Sequence, residues 1–186
     1  RKSIVTGREM DFLEAKLAER DERHERMGDS RYVLEPNIKD GKGGLRDLHA
    51  LYWSAKFLYG VEDIAEMIEE GALTKTEVAR FAKAQFFLWS VRCHLHYLTN
   101  RPEERMTFDV QPELANRMLY NDRAGGSGVE RFMKHYFLVA KDVGDLTRIF
   151  LAAFEAAQKR RSIFRLPAKF FQRDAEGFPL EGQRIT

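Results

Sequence analysis

Cysteine is almost absent. The single Cys93 excludes any internal disulfide, a CxxC zinc site and an iron–sulfur cluster. Such usage fits a reducing cytoplasm, and a cytoplasmic location is expected. Long hydrophobic runs are missing too. No apolar stretch reaches the roughly 18 residues that a spanning helix needs, so no membrane partner is expected. Excess charge of one sign is also lacking: 31 Lys and Arg against 29 Asp and Glu leave +2. Charged residues still make up 32% of the chain, so its surfaces are mixed and solvated. The clustered basic face of a nucleic-acid binder is not there, and no nucleic-acid partner is expected. Proline is scarce, with 5 in 186 residues, and sits between periodic stretches.

Chemical motifs are missing as well. No Gly-Ser is followed by Asp-x-Asp, the carboxylate pair that holds two magnesium ions in nucleotidyltransferases. No His-Asp dipeptide, G-x-S-x-G or H-E-x-x-H occurs. Neither a catalytic residue nor a metal site is therefore assigned. The chain opens on Arg1-Lys2-Ser3 and closes on Arg184-Ile185-Thr186 in mid-pattern. The expectation is an excerpt of a longer protein.

What is present is helical periodicity. Apolar content of 44%, with 14 Phe, 6 Tyr and 2 Trp, excludes disorder. Residues 9–27 carry a narrow stripe (Met10, Leu13, Leu17, His24, Met27) on an otherwise charged helix, ended by Gly28. Tyr32 to Ile38 reads as an extended segment or edge strand because of its alternation and Pro36. Leu45, Leu48, Leu51, Tyr52, Ala55 and Leu58 recur at helical spacing, and Gly60 closes that helix. A short helix covers about 62–70. Thr74-Lys75-Thr76-Glu77 is a capping box that starts another, stopped by Arg101-Pro102. From Phe86 to Leu98 that helix is apolar nearly all round, which predicts burial. Trp89 should then be buried, and its truncation should cost about 3–5 kcal/mol. Pro112 opens a short helix to about 120, and a long one spans about 128–158. The fold class is all-α, a helical bundle, with a possible short strand or hairpin near 178–185. Residues 1–160 form the helical domain, and 161–186 a connector into a following domain.

The most informative stretch is Asn37-Ile38-Lys39-Asp40-Gly41-Lys42-Gly43-Gly44-Leu45-Arg46-Asp47. Gly41, Gly43 and Gly44 let a backbone approach a ligand closely. The loop runs into a helix N-terminus, where unpaired N–H groups favour an anion. Lys39, Lys42 and Arg46 add positive charge around the same point, so phosphate is the natural guest. The competing reading is a glycine-rich turn that only reverses the chain. Arg46 sits in the first helical turn, where the dipole disfavours a cation. Either a phosphate needs it there, or it pairs with Glu35, Asp40 or Asp47. Arg92, Arg101 and Arg105 form a second basic cluster that could clamp phosphate or pair with carboxylates. His94 and His96 are two residues apart and cannot share a metal. His24, His49, His94 and His96 read as core or surface histidines, and Cys93, in an apolar stretch, as inert.

Tyr32-Val33-Leu34-Glu35-Pro36-Asn37-Ile38-Lys39-Asp40-Gly41-Lys42-Gly43-Gly44-Leu45-Arg46-Asp47 closely resembles the pattern Y-x-L-E-P-N-x-K-x-G-x-G-G-L-R-D of the bifunctional PII uridylyltransferase/uridylyl-removing enzymes. Leu98 to Arg101 with Arg105 to Gln111 resembles their L-T-x-R…R-x-x-F-D-x-Q. Val129 to Phe137 resembles their V-E-R-x-M-x-x-Y-F. With Arg23-His24 and Arg26, the likeness covers most of residues 10–158. Lys42 stands where a proline is common, and Asn100-Arg101-Pro102 is not the usual wording.

The resemblance implies a longer parent. In such enzymes a nucleotidyltransferase domain moves UMP from UTP to a tyrosine of the PII signalling protein, with Mg2+ accompanying UTP. An HD domain removes that UMP by hydrolysis, and C-terminal ACT domains sense glutamine. This chain would be the helical domain between the first two, packed on the transferase domain and inactive alone, with no cofactor of its own. Lys39, Lys42, Gly43, Gly44 and Arg46 would face the triphosphate of UTP, and Glu35, Asn37 and Asp47 would orient the loop. Two alternatives remain: a non-enzymatic helical scaffold or docking module, and the equivalent domain of glutamine synthetase adenylyltransferase, which has a similar D-x-K-x-G-x-G-G-[IL]-R-[DE] element.

Overall fold

Five α-helices and one 3-10 turn, with no strand, make up the regular structure among the described residues of the computed structural model. Its backbone is described for residues 9–164 and its side chains for 11–157. In chain order these are α1 (Glu9–Arg26), α2 (Leu45–Tyr59), the 3-10 turn (Ile64–Ile68), α3 (Lys75–Thr99), α4 (Gln111–Arg117) and α5 (Gly128–Phe164). The expected division at residue 160 falls inside α5. The possible hairpin near 178–185 lies outside the described residues.

Local chemistry sets the boundaries. Thr74 and Glu77 form the reciprocal capping box, with Glu77 Oε2 accepting from Thr74 N at 2.6 Å. Asp63 and Glu66 build a second box, and the short helix expected over 62–70 is a 3-10 turn over Ile64–Ile68. Gly60 ends α2 in the left-handed conformation. Asn100 does the same for α3 at φ 52°, one residue before the Arg101-Pro102 pair expected to stop it.

The core lies between α3 and α5, closed by α2 and α4. Leu48, Leu88, Leu114 and Phe132 are wholly inaccessible, and each such side chain contributes about 1.5–3 kcal/mol by leaving water. The stretch before α2 joins this core through Ile38, also fully buried. Helix α1 packs on α2, with Phe12 stacked on Phe57 at 3.9 Å between ring centroids.

The expectation for α3 needs correction. Its inward stripe is Phe81, Ala84, Leu88, Val91 and Leu95, joined by Phe87. These already fill the space beneath α5. Val78 and Leu98 pack at its edge, whereas Trp89 is 37% exposed, Phe86 77% and Tyr97 78%. Cys93 is exposed as well, rather than lodged in apolar surroundings. Two neighbours steady Trp89 at the surface. The Arg92 guanidinium lies 5.1 Å from its ring centroid and the His49 ring 6.0 Å away.

Tyr32 to Ile38 forms no strand. It makes one antiparallel bridge, between Asn37 and Arg105. Ile38 N donates to Glu104 O at 2.8 Å, and Met106 N donates to Pro36 O at 2.9 Å.

Candidate functional site

The loop before α2 is held from four sides. Asn37 Oδ1 accepts from the main-chain N–H groups of Lys39 and Asp40 at 3.0 and 2.7 Å, so the side chain shapes the turn. Glu35 Oε1 accepts from Phe108 N at 2.9 Å. The amide of the buried Gln111 donates to Leu34 O at 2.8 Å and Met106 O at 3.0 Å. Two segments about 70 residues apart are thereby fastened side by side.

Behind the loop stands Asp47, in the first turn of α2 and 4% exposed. Its Oδ1 accepts from Arg23 at 2.5 Å. His24 Nε2 lies 2.9 Å from Oδ2, and Gly43 N donates to the same oxygen at 2.8 Å. Burial pushes this carboxyl up. The His24 hydrogen bond and charge, the Gly43 N–H and Arg23 outweigh that and hold it below the usual carboxylate value. Arg23 and His24 are themselves buried, so a charged network joins α1, the loop and α2. The likeness covered Arg23 and His24 without giving them a role. Their partner lies 23 and 24 residues away, a spacing that carries no periodic signal.

The glycines have internal reasons. Gly43 has φ +82°, and a Cβ there would run into the Ala140 carbonyl of α5. A Cβ on Gly44 would stand 2.7 Å from Ile38 O and 2.9 Å from Gly41 O. The loop therefore lies flush on α5. The N–H groups at the start of α2 are likewise engaged. Gly44 N donates to Gly41 O, Leu45 N to Ile38 O, Arg46 N to Lys39 O and Asp47 N to Gly44 O. An anion at this helix start would have to be met by side chains.

Those side chains diverge rather than gather at one point. Lys39 is near Glu104, at 4.0 Å. Lys42 binds Asp29 Oδ1 at 2.7 Å, on the α1 side. Arg46 pairs with Asp40 at 3.2 Å and is half exposed. In the second basic cluster each arginine has its own carboxylate. Arg92 meets Glu104 at 2.6 and 2.9 Å, Arg101 meets Glu103 at 2.6 Å, and Arg105 is 3.9 Å from Glu35. The Glu104 hydrogen bond raises the Arg92 pKa against its partial burial.

Lys39 and Arg92 share Glu104, Arg92 covers Trp89, and Trp89 neighbours His49. Arg46 lies one turn before His49 on α2, in a groove that also holds Trp53, 61% exposed. One face of the bundle thus joins cations to exposed aromatic rings. Partial burial, and then the nearby Arg92 charge, lower the His49 pKa from its usual value. His96 Nε2 is 3.6 Å from Glu104. Among the described residues no group of three or more His, Cys, Asp or Glu could hold a metal ion, and no helix is long and apolar enough to cross a membrane.

Comparison with known proteins follows this geometry. The GlnD PII-uridylyltransferase family model matches residues 11–151. A bifunctional uridylyltransferase/uridylyl-removing enzyme of Rhodospirillum rubrum is 63% identical over 184 residues, 98% of this chain and 20% of the relative. Another, of Azospirillum brasilense, is 60% identical over 188 residues, 100% of this chain and 20% of the relative. No solved structure matches. The chain spans about a fifth of the length of these curated relatives, and it belongs to the PII-uridylyltransferase family.

Proposed function

We propose that this chain is the helical domain of a bifunctional enzyme that transfers UMP from UTP to a tyrosine of PII and removes it again. On this reading the chain supplies neither catalytic centre. It packs on a nucleotidyltransferase domain and completes the site for UTP and PII, with an HD domain following, in a cytoplasmic enzyme. The observation that carries the reading is the face on which Lys39, Arg92 and Arg46 stand beside Trp89 and Trp53. An outward aromatic stripe on a helix is costly in water and suits a neighbouring domain. Cations at its edge suit the charge that develops on a leaving pyrophosphate. Magnesium would accompany UTP, held by the carboxylate pair of the nucleotidyltransferase domain together with the phosphates.

The test is uridylylation of PII by the full-length polypeptide. Lys39→Ala and Arg46→Ala should each lower kcat/KM by about 1.5–3 kcal/mol, the scale of one charged hydrogen-bond partner, with the melting temperature nearly unchanged. Unchanged kinetics in both variants would remove this face from the reaction. The chain by itself should show no transferase and no UMP-removing activity.

A further inference from the structure

Two cavities flank Lys42, and their charge distinguishes them. The larger, about 720 Å³, lies between α1 and α5. Its carboxylates Asp21, Glu25, Asp29, Asp47 and Glu155 outnumber its four Lys and Arg residues. The smaller, about 340 Å³, lies between the α1–α2 connection and α5. Arg26, Arg31, Lys42 and Arg105 line it, against the single carboxylate of Glu35.

Two groups in the smaller pocket lack partners among the described residues. Arg31 is half-buried and lines both cavities, its guanidinium packed against Gly144 on the side of the larger one, and it has neither ion pair nor hydrogen bond among the described residues. Tyr136 of α5 is 1% exposed, lines the same pocket, and its hydroxyl has no hydrogen-bond partner. Burial raises its pKa, so the phenol keeps its proton and remains a donor. An unpaired half-buried cation and a hydroxyl open to the same pocket are donors left free for a ligand. Arg26 spends only its Nε on Glu22 O, leaving the rest of its guanidinium free to converge.

We propose that the pocket lined by Arg26, Arg31, Lys42, Arg105 and Tyr136 binds a phosphate-bearing anion. The arginine forks supply paired N–H donors of the geometry that phosphate oxygens accept, and Tyr136 closes the floor as a neutral donor. This deepens the proposed phosphate role of the loop and rests on it for the class of ligand. It adds an anion subsite on the Lys42 side, distinct from the Arg46 face.

Isothermal titration calorimetry of the intact chain at matched ionic strength tests this, with inorganic phosphate, pyrophosphate and UTP as separate probes. At least one should bind saturably at one site. Tighter binding of pyrophosphate and UTP than of phosphate would identify a nucleotide-derived ligand, and equal binding a free phosphate group. Arg31→Ala and Arg26→Ala should each weaken binding about 10-fold or more, and Arg117→Ala, which lines neither cavity, should leave it unchanged. Should Arg31→Ala lose its helical circular dichroism, the exposed Arg26→Ala and the shape-preserving Tyr136→Phe decide the matter by the same loss of affinity. No saturable binding of any probe would overturn the proposal. So would a loss confined to Arg46→Ala, which would leave the loop reading standing with its anion on the opposite face.

Discussion

The Arg23 guanidinium of α1 meets the Asp47 carboxylate of α2 at 2.5 Å, with both side chains about nineteen-twentieths buried. The same carboxylate holds Gly43 N at 2.8 Å. A helix-to-helix ion pair thus also fixes the glycine loop, and whatever disturbs the pair disturbs the loop.

Asp47→Ala should therefore be among the most damaging single changes. It would leave a buried guanidinium without its charge partner and release the Gly43 N–H. Removing one member of a buried pair costs about 3–5 kcal/mol. Urea denaturation would register this as a lower midpoint with little change in slope. A loss below about 1 kcal/mol would show that Arg23 finds another partner.

Acid should act through the same residue. The folded state holds the Asp47 carboxyl below its ordinary value, so near pH 4 the unfolded chain binds more protons and stability rises with pH. The contribution is complete above the unfolded value of about 3.9. It is lost as pH falls through the lower folded value. Denaturation midpoints measured from about pH 6 down to about pH 2.5 should fall more steeply for the wild type than for Asp47→Asn. Glu19, Asp29 and Glu113 are also lowered, each by a lysine or arginine pair at the surface, where such pairs matter little, and Glu103 is lowered chiefly by the Arg105 main-chain N–H.

Gly43→Ala should destabilise by about 2–4 kcal/mol, combining a left-handed backbone with overpacking. The added methyl meets the main chain of α5 at Ala140, which cannot turn aside. Thermal melting checks this, and Gly71→Ala is the comparison. Gly71 has φ +67° but open space around it, so it bears the conformational cost alone and should lose less.

The helices were readable because their signals are local. Leu45, Leu48 and Leu51 repeat at helical spacing, and the Thr74–Glu77 box spans three residues. The loop's purpose was not readable in the same way. Glycines before a helix suit a phosphate cradle and a tight chain crossing equally well, and the contact that requires Gly43 here, with Ala140, lies about a hundred residues on. Lys39, Lys42 and Arg46 look clustered in one dimension, yet the turn directs them to Glu104, Asp29 and Asp40. The α3 reading failed for a related reason. A helix apolar on all sides is buried only if it has neighbours on all sides, and periodicity does not count neighbours.

Trp89→Ala should accordingly cost about 1 kcal/mol, the scale of one exposed cation–π contact and some surface packing. A drop of 3 kcal/mol or more in chemical denaturation would place Trp89 in the interior. Iodide should also quench much of the native tryptophan emission, since Trp53 is exposed too.

The bonds from Phe108 N to Glu35 and from Gln111 to Leu34 O join residues 73 and 77 positions apart. Local helices can form within their own segments, but these ties close only once the chain has brought α3 back alongside the loop. Closing so long a loop costs entropy before any contact repays it. The cationic loop therefore takes its final shape late in folding, after α2 and α3 exist. Weakening Gln111 would then chiefly hasten the chain's escape from the finished state.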